Sequence, residues 1–376
     1  MSDIGLEGPV APNRRRFSFN RLFASPTFQS RMARLPLIRR IVRREGEEMF
    51  DIVAGFCHAQ VLQALIKLDI LDGLLDGAKP PKQLSVRHGV PLDRLQILLD
   101  AAVSLNLLKL KRGHYDLTRR GAALVGVPGL KGMIAHHDVL YRDLTDPVAF
   151  FRGETETELA HFWPYVFGAG AAEDPKAAAT YSKLMADSQA LIAEDTLALV
   201  DLSKSDHIMD VGGGTGAFLG HVAKAYPKIA MTLFDLPAVV PDATQRFSDL
   251  GAAQRSQVIP GSFRDDPLPK GADTISLVRV LYDHADETVM ALLRSVFEAL
   301  PAGGRILISE PMTGGASPHR AGNAYFAIYC LAMQTGRARS ADEIAELLRQ
   351  VGFTNVSKPL SRRAFVTTAL TAVKPA

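Results

Sequence analysis

Two domains are predicted for this 376-residue sequence: a doubly wound α/β domain and, ahead of it, a smaller helical one. Three observations carry the prediction. Residues 205–237 read as strand, glycine-rich turn, helix and a second strand ending in an acid. From there onward strands and helices alternate, the pattern of a parallel sheet covered on both faces. Residues 45–117 instead read as helices followed by a short β-ribbon, a winged-helix-like order. The length agrees with two domains. A composition of 47% hydrophobic and 22% charged residues is enough to bury a core.

The first 44 residues form a basic arm. Arg14, Arg15, Arg16, Arg21, Arg31, Arg34, Arg39, Arg40, Arg43 and Arg44 are opposed only by Asp3 and Glu7, and Phe17, Phe19, Phe23 and Phe28 lie between them. This mixture suits peripheral contact with an anionic membrane surface or packing on a partner subunit. The Gly/Pro-rich start before Arg14 reads as disordered. Residues 45–75 repeat apolar positions at helical spacing through Phe50, Val53, Val61, Leu65 and Leu68. Lys79-Pro80-Pro81-Lys82 is a loop, and Pro91-Leu92 opens a helix with Leu95, Leu98, Leu99 and Ala102 on one face. Residues 107–117 alternate around a Gly113-His114 turn, a β-ribbon. The candidate recognition helix, 92–105, has Asp93, Arg94 and Asp100 but no basic stripe, so no nucleic acid is expected and homodimer packing is. Residues 129–200 are mostly helical and contain His136, His137 and Trp163. The organisation read from these elements is a basic arm over 1–44, a helical dimerisation domain over 45–167 and a catalytic domain over 168–376.

In the catalytic domain, 206–211 is a buried strand, 217–226 a helix and 229–234 the next strand. Residues 273–281 form a strand followed by a helix over 287–300, with Asp286 as its N-cap. Pro301 to Gly304 ends that helix, and 305–310 is another strand. Ser340-x-x-Glu343 is a capping box before Ile344, Leu347 and Leu348, and Gly352 closes that helix. Residues 365–373 are the last strand. The best apolar stretch, 52–70, is broken by His58, Gln60, Gln63, Lys67 and Asp69, so no membrane span is expected. Nor is a secretory signal. Cys57 and Cys330 are too few for a disulfide framework and are flanked by apolar residues, which predicts buried free thiols. A cytoplasmic location follows, with peripheral contact of the arm on the inner or intracytoplasmic membrane as one alternative and packing on the partner subunit as the other.

The chemistry concentrates at Gly212, Gly213, Gly214 and Gly216. Glycines let the backbone turn tightly and approach a ligand, and the N-terminus of the helix after them favours an anionic or electron-rich group. Asp235 lies 19 residues beyond Gly216, where a nucleotide-binding βαβ unit places a carboxylate on ribose hydroxyls. A nucleoside-containing cofactor is implied. Gly212-x-Gly214-x-x-Ala217 also satisfies the loose dinucleotide pattern, so NAD stays open on the glycines alone. No metal-ligand motif is present; the adjacent His136 and His137 do not share a helix face, which leaves one as a pocket residue and the other structural.

Asp210 before the glycines and Thr215-Gly216 after them resemble motif I of class I S-adenosylmethionine-dependent methyltransferases, a Rossmann-like fold. Phe-Asp-Leu-Pro at 234–237 resembles the second motif of the plant-type and bacterial small-molecule O-methyltransferases. That resemblance implies S-adenosyl-L-methionine as cofactor. Gly212 and Gly214, with Asp210 before them, would lie at its methionine end and Arg279 beside them. Asp235 and Leu236 would lie at the ribose, Phe263 near adenine, and Met185 with Gln189 in a helix capping the cleft; Ser262 stands where the family has an adenine-end acid. The family's strand-four motif is Leu/Cys-His-Asp-Trp-x-Asp-Glu, and its His is the general base. Here residues 279–287 put Tyr282 at the base position and His284 at the Trp position. One flanking carboxylate is kept as Glu310; the other falls on Ala338.

These departures, with Leu-Val-Arg-Val-Leu-Tyr-Asp-His at 277–284, Ile-Ser-Glu-Pro-Met at 308–312, Tyr325-Phe326 and Gly336-Arg337, resemble the branch of the family that acts on acyclic carotenoids. The resemblance covers nearly the whole chain and implies methylation of a tertiary hydroxyl. Other apolar acceptors (tetrapyrrole, polyketide or phenol, O- or C-methylated) form the alternative. A tertiary alcohol is far less acidic than a phenol, so proton loss comes late, to water, His284 or the His136/His137 pair. Tyr282, a poor base near neutral pH, is expected to position the hydroxyl. The segment from Tyr325 to Met333 is expected to line an apolar channel, with ordinary core helix as the competing reading.

Overall fold

The computed structural model describes residues 19–36, 38–162 and 175–376, without the side chains of 162 and 175–185. Trp163, the arginines at 14–16 and the join expected near residues 167 and 168 lie outside the described residues. The chain divides between Ala64 and Leu65 into two units.

The first unit holds helices Phe19–Phe23 and Pro26–Arg34, neither of which buries a residue, and most of the helix Arg39–Lys67. That helix starts inside the stretch read as an arm. It is long and apolar enough to cross a membrane by length and composition, which corrects the expectation that no such run exists. Met49, Phe50, Ile52, Val53 and Phe56 stand exposed on it. Cys57 is also exposed, against expectation; only Cys330 is buried. Apolar flanks bury a thiol only where another element covers the helix face.

The second unit begins with helices Pro81–His88 and Leu92–Ser104. Next come strands β1 (Leu108–Lys111) and β2 (His114–Leu117), paired antiparallel as the winged-helix reading predicts. The hairpin turn is Arg112-Gly113, one residue earlier than predicted, and both residues have positive φ, as a two-residue hairpin of this twist requires. Tyr115 is buried and donates to Asp100 at 2.6 Å, tying the ribbon to the second helix.

Seven strands form the main sheet: β3 (His207–Val211), β4 (Ala230–Asp235), β5 (Ser256–Pro260), β6 (Thr274–Val278), β7 (Arg305–Glu310), β8 (Thr354–Ser357) and β9 (Thr368–Val373). Their order is β5-β4-β3-β6-β7-β9-β8. β3 to β7 are parallel; β9 runs antiparallel to β7 and β8 antiparallel to β9. The class I methyltransferase fold is the result, and the sequence pattern missed β5, β8 and the antiparallel edge. Alternation along the strands serves both faces. Ile306 and Ile308 pack with Val289, Leu293 and Leu348 on one side. Leu307 packs with Phe218, Val222 and Phe247 on the other.

Two boundaries differ for local reasons. β6 ends at Val278 because Arg279 takes φ +60°, a left-handed conformation that leaves the strand. A 3₁₀ turn, Leu281–Asp283, follows. Helix Asp286–Ala299 therefore has Ala285 rather than Asp286 as its N-cap. The capping box of Ser340 with Glu343, and Gly352 at the C-terminus, stand as predicted.

Candidate active site

The strand order reverses at β3, which has β4 on one side and β6 on the other, and ligands of open α/β sheets bind at such a switch point. A cavity of about 160 Å³ opens there. It is lined by the glycine turn after β3, by Asp235, Leu236 and Val239 after β4, by Ser262, Phe263 and Arg264 after β5, and by Arg279, Asp283 and His284 after β6. Ala186 and Gln189 of helix Pro175–Leu199 complete it.

The turn requires glycine. Gly212 and Gly214 have φ of +69° and +59°, and a Cβ on Gly213 would stand 2.7 Å from Asp210 Oδ2. The Gly214 amide donates to Asp235 Oδ2 and the Leu236 amide to Oδ1, both at 2.6 Å. Each Asp235 oxygen keeps a lone pair for a ligand hydroxyl. Asp210 does not line the cavity. It is 1% exposed beneath the turn, where Ser276 Oγ donates to Oδ1 at 2.6 Å and Oδ2 has no partner. Burial pushes its carboxyl up to about 7. An orphaned carboxylate oxygen under a tight glycine turn, open space beside Gly214 and a carboxylate at the end of β4 fit a nucleoside cofactor with a cationic portion.

The structure brings Gly212, Gly214, Asp235, Leu236, Phe263, Arg279, Gln189 and His284 together at this cavity. The Met185 side chain lies outside the described residues. Tyr282 and Glu310 do not reach the cavity. Tyr282 is buried, its hydroxyl 3.4 Å from the Arg279 guanidinium, and burial holds it far above the ordinary phenol range. Glu310 is wholly buried; Oε2 accepts the amides of Leu281 and Tyr282 at 3.0 and 3.3 Å. Its carboxylate anchors the turn that carries the site rather than meeting an acceptor.

Arg339, also wholly buried, donates to the carbonyls of Leu281 and His284 at 2.9 Å each and to Asp286 at 2.5 Å. Gly336 packs so tightly on this turn that a Cβ would lie 2.3 Å from the Tyr282 carbonyl oxygen. Sequence reasoning missed this clamp and the cavity residues Asp283 and Arg264. Asp283 is adjacent to the base position, and that adjacency was the available signal.

His284 is corrected as proton acceptor. Its Nδ1 lies 3.0 Å from the Arg264 guanidinium, which only donates, so Nδ1 is the accepting nitrogen and Nε2 carries the proton. Burial, then Arg264 and Arg339, push its pKa down to about 4. The ring also meets Phe263 edge-on at 5.2 Å.

The expected acceptor residues gather elsewhere. His136 Nε2 lies 3.0 Å from the Tyr329 hydroxyl and His137 Nε2 2.7 Å from that of Tyr325, so both histidines engage one partner segment despite being adjacent. That segment is a π-helical turn, Arg320–Phe326, running into helix Ala327–Met333; such turns recur at functional sites. Met333 is 2% exposed and packs with Leu140, Phe150 and Leu159, an ordinary core position that corrects its assignment to a channel.

Comparison with known proteins gives a consistent picture. The chain matches the O-methyltransferase domain over residues 141–354 and the O-methyltransferase dimerisation domain over 50–126. It is 56% identical to the demethylspheroidene O-methyltransferase of Cereibacter sphaeroides, covering 94% of each chain. It is 53% identical to that of Rhodobacter capsulatus, covering 97% of this chain and 91% of the relative. The solved structure of human N-acetylserotonin methyltransferase with S-adenosylmethionine aligns with a TM-score of 0.76 and 25% identity, over 88% of this chain and 98% of that one.

His136 and His284 are both held near 4, below the ordinary value of about 6.5. The unfolded chain therefore binds protons that the folded chain refuses. Their contribution to stability is full above about pH 6.5 and is lost as pH falls toward 4. In histidine ring NMR, the His284 resonance is expected to stay in its neutral position from pH 8 to 5.5. A midpoint near 6.5 would contradict the Arg264 contact.

Proposed function

We propose that this chain, which belongs to the O-methyltransferase family, methylates a tertiary hydroxyl of an acyclic carotenoid. It is an S-adenosylmethionine-dependent methyltransferase, and its dimerisation domain supports a homodimer. The acceptor reading rests on one observation: two relatives more than half identical along nearly the whole chain are named demethylspheroidene O-methyltransferases.

In this reading Gly212 and Gly214 hold the methionine end of the cofactor above Asp210, with Arg279 beside them. Asp235 and Leu236 hold the ribose, Phe263 the adenine, and Gln189 with Met185 close the cleft. Bound S-adenosylmethionine supplies a methyl carbon already activated by its sulfonium. The chain aligns the acceptor oxygen with that carbon, excludes water and takes a proton. His136, His137 and Tyr325 face the acceptor, while Tyr282 acts through Arg279 and Glu310 through the turn it anchors. The domain reading keeps residues 168–376 as the catalytic part. The exposed apolar face around Phe50 and Phe56 is covered by the second subunit, since the dimerisation domain begins at residue 50. The arm is a peripheral contact of a cytoplasmic protein: Phe19 and Phe23 are 66% and 59% exposed among its arginines, which suits the surface from which so apolar an acceptor is drawn.

The deciding experiment incubates the protein with labelled S-adenosylmethionine and a panel of hydroxylated carotenoids, phenols and tetrapyrroles, read by mass spectrometry. Label is expected on an acyclic tertiary carotenol; label on a phenol or tetrapyrrole alone overturns the acceptor. Asp235→Ala is expected to weaken cofactor binding by more than about 1.5 kcal/mol, because it removes charge-assisted bonds to two hydroxyls. Unchanged affinity in calorimetry would remove Asp235 from the site. Sedimentation with phosphatidylglycerol vesicles, against phosphatidylcholine, tests the arm. Arg21→Glu, Arg31→Glu and Arg34→Glu together should reduce binding by about tenfold or more, and equal binding to both lipids would refute the contact.

A further inference from the structure

We propose that Asp283 is the catalytic group that takes the proton from the acceptor hydroxyl, an inference that rests on the methyl-transfer reading above. Among the described residues the cavity has two acids on its wall, Asp235 after β4 and Asp283 after β6. They stand at different ends. Asp235 is at the ribose position and takes two backbone amides. The reacting end of a nucleoside cofactor must then extend toward β6, where Gly212 packs against Val280 and Asp283 follows three residues later.

The other bases near this end are occupied or do not reach the cavity. The accepting nitrogen of His284 is taken by Arg264. Tyr282 is a buried phenol beside Arg279. Glu310 is wholly buried and off the cavity wall; one oxygen accepts two amides, and the other, without a partner, does not reach the cleft. His136 and His137 each engage a tyrosine hydroxyl. Asp283 is half-buried and, among the described residues, accepts no hydrogen bond. Its place is fixed by neighbours on both sides: Glu310 anchors the amides of Leu281 and Tyr282, and Arg339 holds the carbonyls of Leu281 and His284.

The step balances. The acceptor oxygen forms its bond to the methyl carbon as the carbon–sulfur bond breaks, and that bonding pair stays on sulfur. The O–H pair stays on oxygen, and the proton goes to the Asp283 carboxylate. The charged groups facing Asp283 are Arg279 at the end of β6 and Glu310 on β7, with Arg339 and Arg264 behind His284; the Tyr282 phenol and the Cys330 thiol on helix Ala327–Met333 face it as neutral groups that burial keeps protonated. Burial pushes its carboxyl up to about 8; Arg279 opposes this and Glu310 adds to it. A sulfonium bound beside it favours the ionised form, so a base appears when the methyl donor arrives.

Calorimetry tests this without turnover. S-adenosylmethionine carries the sulfonium and S-adenosylhomocysteine is its neutral thioether. At pH 7.5, in buffers of different ionisation enthalpy, wild type is expected to release roughly half a proton more on binding the first than the second. Asp283→Asn should abolish that difference while binding S-adenosylhomocysteine within about threefold of wild type, and Asp283→Glu should keep it. With the acceptor found above, kcat/KM should rise with pH toward a plateau above about 8, and Asp283→Asn should lose about 10²–10⁴-fold together with that limb. An undiminished proton difference in Asp283→Asn, or an intact pH limb, overturns the proposal. Failure of wild type to bind S-adenosylmethionine would overturn the cofactor reading instead.

Discussion

A guanidinium with no exposure to solvent, Arg339, holds the turn on which the site is built. Burying such a charge is costly unless it is paired and hydrogen-bonded. Arg339 meets that condition with two main-chain carbonyls and the Asp286 carboxylate. Glu310 satisfies the same turn from the other side, at its amides. The turn cannot slide along either partner without leaving a buried charge or a backbone group unmet. Gly336 closes the remaining space. The positions of Arg279, Asp283 and His284 all follow from this arrangement.

The electrostatics of the cleft follow as well. Asp210, Asp283 and Glu310 sit at the carboxyl ends of β3, β6 and β7, and burial raises all three to about 7 or 8. A cation bound in the cleft favours the ionised form of carboxyls whose pKa burial has raised. Burial, with Arg264 and Arg339, keeps His284 neutral at the edge of the same region. The cleft is thus arranged to receive positive charge, as a sulfonium donor requires.

Much of this was legible in the sequence because the signals are local. The glycine turn, Asp235, the Ser340–Glu343 box and Gly352 each depend on a few consecutive residues whose backbone geometry allows little choice. The dimerisation ribbon was legible through its alternation. The rest depends on distant contacts. Arg339 and Glu310 meet the same turn from segments 58 and 29 residues away, and no spacing rule shows that. Tyr282 occupies a base position in the motif, yet the left-handed Arg279 turns the chain there and buries it. Met333 and Cys57 reversed expectations because helix periodicity gives a face, and only tertiary packing decides what covers it. β5 and β8 were missed for the same reason: they are the short strands at the two edges of the sheet, where the pattern is weak.

The π-helical turn at Arg320–Phe326 has a consequence for how such a site changes over generations. One extra residue in a helical turn displaces every following side chain by about 100°, and the wider turn absorbs it without breaking the helix beyond. Tyr325 sits inside that turn and Tyr329 just past it, so the wall proposed for the acceptor is carried by a segment able to absorb an inserted or deleted residue. The cofactor wall is carried by strand ends locked in register. Acceptor preference is therefore free to diverge among descendants of one ancestor while the methyl-donor chemistry is inherited unaltered.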